Sequence, residues 1–198
     1  MNHDAGESQP EEDYSDHLII GQIVAGQKDL FRLLVRRYER AVYGMGIGFF
    51  RNAEDTSDFT QEVFLKVYRN LPRFEGRSRF STWLYKIAYN TAINGVNRRK
   101  EYLSLAEDSD HSDAGAFALT DGDSPERDLI RKAARDAVLA ALAELPERYR
   151  ICIDLFFFYD RSYQEIEAIT GFPVNTIKSH VFRAKKLLRE QLEEIGRW

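Results

Sequence analysis

The stretch SYQEIEAITGFPVNTIKSHVFRAKKLLREQL, residues 162–192, decides how the rest of the chain is read. Ser162 to Thr170 carries apolar residues at Ile166 and Ile169, the spacing of a short helix. Gly171 follows, the residue type that most readily takes the left-handed conformation of a tight turn. From about Val174 a longer helix is predicted, with Ile177, Val181, Leu188 and Leu192 buried along one side. Lys178, Ser179, Phe182, Arg183, Lys185, Lys186 and Arg189 lie on or around the other side. Together these make a helix-turn-helix, in which the side chains nearest the start of the second helix can enter a DNA major groove. Glu167 departs from the usual pattern, because it stands four residues before the turn glycine, where a small residue lets the two helices approach. A carboxylate is costly to bury unpaired, so Glu167 is expected to bend outward or to find a partner.

Upstream, the turn at Leu145-Pro146 leads into the apolar run ICIDLFFFY, a core helix in which Cys152 reads as a small buried hydrophobe. Further out the charge is segregated. The 198-residue chain has 32 acidic and 28 basic side chains, a formal net charge of -4 that by itself argues against a nucleic-acid partner. Residues 1–16, however, hold six acids and no Lys or Arg, and residues 101–128 hold nine acids and one base. Residues 17–100 then carry +8 and residues 129–198 carry +2. Both acidic stretches are rich in Ser, Gly and Asp and lack apolar periodicity, so a disordered tail (1–16) and a flexible linker (101–128) are expected. A flexible 28-residue linker has a root-mean-square reach of roughly 29 Å.

The segment 17–100 reads as helical throughout, and no run alternates as a half-buried strand does. Leu18 to Val24 form one apolar stretch, closed by Gly26, and Leu30, Leu34, Val35, Tyr38 and Val42 stripe a second helix. Gly44, Gly46 and Gly48 are expected to fray or bend its end, at roughly 0.8–1 kcal/mol each relative to Ala. A third helix opens at the N-cap Asn52, buries Phe59, Val63, Val67 and Leu71, and turns Asp55, Asp58, Glu62, Lys66 and Arg69 to another face. A polar face of this kind is usually just solvated.

FEGRSRFS, from Phe74 to Ser81, is expected to be a loop, and a helix is expected from Thr82, with Leu84, Ile87, Ala88 and Thr91 buried and Lys86, Asn90, Asn94 and Asn97 on a polar stripe. Phe74, Phe80, Trp83, Tyr85 and Tyr89 interleave with Arg73, Arg77, Arg79 and Lys86. Rings that stack on unpaired bases beside cations that follow phosphates would suit single-stranded DNA. An exposed asparagine can read a base edge through its paired donor and acceptor. Equally, most of these aromatics could be the core of a small domain and the cations its coat.

In these motifs the sequence resembles the extracytoplasmic-function sigma factors of the bacterial sigma-70 family. AEDTSDFTQEVFLKVYRNLPRF resembles the family's polymerase-clamp helix, FEGRSRFSTWLYKIAYNTAIN its promoter-melting and minus-ten segment, and LPERYRICIDLFFFYDRSYQEIEAITGFPVNTIKSHVFRAKKLL its minus-35 module, in the family's order. The resemblance implies an all-α chain of two small helical domains, region 2 over 17–100 and region 4 over 129–198, joined by the acidic linker. It implies a subunit that docks on core RNA polymerase, at the beta-prime clamp and beta flap, binds promoter DNA at two elements and opens the minus-ten DNA. It also implies control by an anti-sigma factor. By match to the motif, Asp58, Gln61, Glu62 and Lys66 would face the polymerase clamp. Phe74, Arg77, Arg79, Phe80, Ser81, Trp83, Lys86 and Asn90 would serve the minus-ten strand, and Lys178, Ser179, Phe182, Arg183 and Lys186 the minus-35 element. His180 stands where the family often has arginine, which puts a phosphate contact there in question.

Other classes are less well served by the residues. An autonomous helix-turn-helix regulator would need only the C-terminal module, leaving the Trp- and Asn-bearing segment without a use. For an enzyme, His3, His17, His111 and His180 are scattered, and no Gly-rich phosphate loop or metal-ligand spacing is present, so no catalytic residue, cofactor or metal is expected. No stretch approaches 18 consecutive apolar residues, and the acidic N-terminus lacks the basic and apolar regions of a signal peptide. A cytoplasmic protein with no membrane insertion is therefore expected.

Overall fold

The computed structural model describes residues 9–105 and 137–195. Among these residues every regular element is helical. They group into two compact units, one of residues up to Gly46 and from Ala53 onward, the other of residues 47–52 together with the C-terminal helices.

α1 spans Gln9–Val24, α2 Phe31–Phe50, α3 Ala53–Asn70 and α4 Phe80–Leu105, with short 3-10 turns at Lys28–Leu30 and Leu71–Arg73, and all of these but residues 47–50 of α2 belong to the first unit. Leu34 and Val42 of α2, Val63 and Val67 of α3, and Phe80, Leu84 and Ala88 of α4 are fully buried at its centre. The three predicted stripes thus meet in one core, and Lys86, Asn90, Asn94 and Asn97 are left exposed on α4.

Four expectations about boundaries and caps met different outcomes. The tail expected over 1–16 gives way to helix from Gln9, and Asp16 within it is completely buried, held by the Arg37 guanidinium and the Tyr38 hydroxyl. A charge buried among two such partners is satisfied, and Ile20 and Ile23 of the same helix add apolar area to the core. Of the linker expected over 101–128, residues 101–105 belong to α4, and residues 106–128 lie outside the described residues. The glycines of α2 do not fray it, since the helix runs on to Phe50. Gly46 is where α3 crosses: a Cβ there would stand 2.6 Å from the Phe59 ring and 2.9 Å from the Thr56 methyl, so the missing side chain lets two helices touch. Asn52 does precede α3, though its side-chain amide donates to the Phe50 carbonyl at 3.1 Å.

In the second unit the helical residues 137–144 form α5, followed by α6 over Glu147–Phe157, α7 over Tyr163–Thr170 and α8 over Val174–Ile195. Leu142, Leu145, Tyr149, Ile153 and Ala184 pack together, joining α5, α6 and α8. Ser162 caps α7 in a reciprocal capping box: its hydroxyl accepts from the Glu165 amide at 3.3 Å and its own amide donates to the Glu165 carboxylate at 2.9 Å. Gly171 closes α7 at φ 77°, as the turn required. Cys152 is buried, and that burial pushes its thiol up to about 12, so it is an inert part of the core.

Candidate nucleic-acid interface

The aromatics of the segment after α3 divide between two roles. Phe80 is fully buried and meets Tyr38 edge-on at 5.5 Å, while Tyr85 and Tyr89 are buried along α4. Phe74 and Trp83 stay half-buried at the surface, their ring centroids 5.2 Å apart. Around them Arg77, Lys86 and Asn90 are exposed and Arg79 is partly so. Arg77 pairs with Glu75 at 2.5 Å, but both side chains are open to water, where such a pair contributes little. Two of the residues expected at the interface are not on the surface. Phe80 and Ser81 belong to the first turn of α4, whose start lies two residues earlier than expected, and both are buried. What the sequence reading missed is His17 of α1, whose ring lies 5.4 Å from that of Phe74.

On α3, Asp58 and Gln61 are exposed. Glu62 and Lys66 point along the same side but are engaged with each other at 2.7 Å; Lys66 also donates to the Thr91 hydroxyl at 3.2 Å, and Glu62 lies 3.7 Å from Arg98. These two side chains latch α3 to α4 as well as contributing to the surface. Leu65 and Tyr68 are exposed on the same helix, Leu65 by 55%. The signal for them was present in the sequence, as apolar residues off the buried stripe.

The second unit presents the start of α8. Lys178, Ser179, Phe182, Arg183 and Lys186 are all exposed, and Phe182 is 70% open, the most exposed large apolar side chain among the described residues. Arg183 Nη1 donates to the Tyr149 hydroxyl at 3.2 Å, an interaction that holds this phenol below its ordinary pKa. The Lys178 ammonium sits 5.8 Å from the centroid of the Tyr163 ring. Ser179 donates its hydroxyl back to the Asn175 carbonyl at 3.0 Å. Lys186 is 3.8 Å from Glu190, a loose pair in water.

The two departures of the helix-turn-helix resolve. Glu167 is exposed, and its carboxylate accepts from the Val174 amide at 3.2 Å, capping the start of α8 where a negative charge is favoured. His180 turns inward between Tyr149 at 5.1 Å and Phe172 at 5.5 Å, with Cys152 Sγ 3.6 Å from its Nδ1. Burial, then the nearby Arg148 and Arg183 charges, keep its pKa low, so a neutral packing residue stands at this position.

Two surfaces, one of rings and cations on the first unit and one the basic, exposed side of α8 on the second, accompany matches to two family models: Sigma-70 region 2 over residues 34–102 and Sigma-70, region 4 over residues 135–188. The RNA polymerase sigma-H factor of Pseudomonas aeruginosa is 35% identical over 186 residues, covering 92% of this chain and 96% of that protein. The ECF RNA polymerase sigma-E factors of Haemophilus influenzae and Escherichia coli K12 are 34% and 33% identical, covering 93% and 94% of this chain and 98% of each relative. The chain belongs to the sigma-70 family, in its extracytoplasmic-function group. Among solved structures, the sigma factor RpoE of Bartonella quintana, in complex with the anti-sigma factor NepR, aligns with TM-score 0.69 at 23% identity over 82% of this chain and 96% of that one. CnrH, in complex with the cytosolic domain of CnrY, aligns with TM-score 0.64 at 20% identity over 90% of this chain and 97% of that one. At these identities the likeness concerns the fold. As a sigma factor the chain is a transcription initiation factor, and its region 2 match takes in most of α2 and all of α3, while α1 precedes it. Among the described residues no helix is long and apolar enough to cross a membrane, and no group of three or more His, Cys, Asp or Glu could hold a metal ion.

Proposed function

We propose that this sigma factor divides its work among three surfaces. Asp58 and Gln61, backed by Glu62 and Lys66, dock region 2 on the beta-prime clamp of core RNA polymerase, and the exposed Leu65 and Tyr68 add apolar contact beside them. Phe74 and Trp83 stack against unpaired nontemplate bases, Arg77, Arg79 and Lys86 follow the phosphates, and Asn90 reads a base edge. Lys178, Ser179, Phe182, Arg183 and Lys186 enter the major groove of the minus-35 element, while region 4 rests on the beta flap. Control comes from an anti-sigma factor that masks the polymerase-binding surfaces. The site of action is the cytoplasm, and the protein carries out no catalysis of its own.

The observation that carries this reading is the pair of half-exposed rings, Phe74 and Trp83, 5.2 Å apart among exposed Arg77, Lys86 and Asn90. A helix-turn-helix regulator acting alone has no use for such a surface in a separate unit. The test is to mix the protein with bacterial core polymerase and a promoter library. Specific run-off transcripts that require both components support the reading; tight, sequence-specific duplex binding by the protein alone, with no transcripts, would favour the regulator.

A further inference from the structure

We propose that His17 of α1 is an additional strand-contacting residue, its imidazole forming with Phe74 and Trp83 a three-ring platform for an unpaired nontemplate base. The inference rests on reading the Phe74 surface as the element that holds the melted strand.

Three observations place His17 there. Its ring lies 5.4 Å from the Phe74 ring at an angle of 44°, and Phe74 in turn lies 5.2 Å from Trp83. Phe74 and Trp83 also pack against Phe80, at 5.7 and 5.8 Å, yet each keeps part of its surface open to solvent. Next, Gly76 has a φ of 68°, and a Cβ on it would stand 3.2 Å from His17 Nε2, so the imidazole edge abuts the loop backbone directly. Finally, the neighbouring Asp16 is wholly buried against Arg37 and Tyr38, which fixes this turn of α1 beside the loop. His17 itself is exposed. Asp16, Ile20 and Ile23 seat α1 on the core, so His17 is not what holds the helix in place.

The ligand would be a nucleobase splayed out of the duplex, a class that stacks on His as it does on Phe, Tyr and Trp.

The test uses holoenzyme made from the full chain and core polymerase on a promoter that it opens. A benzophenone amino acid is placed at His17, at Arg77 in the loop, or at Gln22, an exposed α1 position more than one turn further along. Crosslinks to the nontemplate strand from positions 17 and 77, but not 22, are expected. A crosslink from 77 without one from 17 overturns the inference and leaves the loop's role standing; none from either position overturns both. A crosslink from 22 as strong as that from 17 also overturns it. In parallel, His17→Ala should shorten open-complex lifetime by roughly 5- to 150-fold, the range expected for one lost stack. His17→Phe should stay within about threefold of wild type, with core binding unchanged in both. An unchanged lifetime in a folded His17→Ala protein contradicts the proposal.

Discussion

Arg183 on the recognition helix donates a 3.2 Å hydrogen bond to the hydroxyl of Tyr149 on α6, so a side chain assigned to minus-35 DNA is tethered before DNA arrives. Tyr149 is buried and also packs against His180 at 5.1 Å. Tethering lowers the rotamer entropy that a long arginine loses on binding. Tyr149→Phe keeps the ring and removes the tether. It should weaken promoter engagement by about fivefold, the scale of one hydrogen bond, with core binding unchanged. Promoter competition assays with wild-type and variant holoenzyme check this.

Trp83→Ala and Asn90→Ala should leave core association and closed-complex formation nearly intact while reducing opening. Stacking is worth roughly 1–3 kcal/mol per base, and an unstacked base must be held to stay unpaired. Permanganate footprinting on duplex and pre-melted templates separates the two steps. The pre-melted template should rescue both variants, since it supplies the opening they cannot hold.

Gly46→Ala adds a methyl group 2.6 Å from a ring carbon of Phe59, inside any contact distance real side chains tolerate. Alanine favours a helix by about 1 kcal/mol over glycine, but forcing α2 from α3 costs typically 1–3 kcal/mol. The variant should be less stable than wild type in urea, whereas substitution of an exposed glycine such as Gly21, with nothing within 4 Å, should stabilise it slightly.

Asp154 gives a pH dependence with a definite sign. Burial raises its carboxyl to about 7, against the opposing pull of Arg150. The unfolded group titrates near 3.9, about where a free carboxylate does, so between the two values the folded state binds more protons than the unfolded one. Its contribution to stability is therefore fullest at low pH and falls as pH rises through this window, by at most about 1.4 kcal/mol per pH unit. His180, whose pKa is lowered, has the opposite sign. Urea unfolding from about pH 5 to pH 8 should show a steeper loss in wild type than in Asp154→Asn, and the difference isolates Asp154.

The helix-turn-helix was legible because its signals are local. Gly171 states a turn and the stripe of Ile177 and Val181 a face within a few residues, although the capping box at Ser162 went unread. The same holds for the stripe Phe59, Val63 and Val67 on α3. What failed depends on neighbours distant in sequence. Gly46 reads as a helix weakener until Phe59 is found against it. Asp16 counts as tail charge until Arg37 and Tyr38, more than twenty residues on, surround it. Phe80 and Ser81 read as loop because Gly76, Arg77 and Arg79 dominate that stretch, yet the core reclaims both for the first turn of α4. His17 carries no local signal at all, since its meaning lies entirely in its distance to Phe74.

The central claim is that docking on the polymerase clamp and reading of the minus-35 element reside on different units, and paired binding of one set of variants tests it most directly. Asp58→Lys combined with Gln61→Lys is the better docking probe, because Glu62 is engaged with Lys66 and its reversal would disturb the α3 to α4 latch. Both positions are exposed and lie away from the buried stripe, so the fold should survive, which circular dichroism checks. Co-purification with core polymerase should be abolished in this variant and unchanged in Arg183→Ala and Lys178→Ala. The latter two should instead lose roughly 1–3 kcal/mol of promoter engagement where they read a base, with relaxed preference at one minus-35 position. If all these folded variants lost core binding to the same extent, or if the α3 variant retained it, the division of labour between the two units would be wrong.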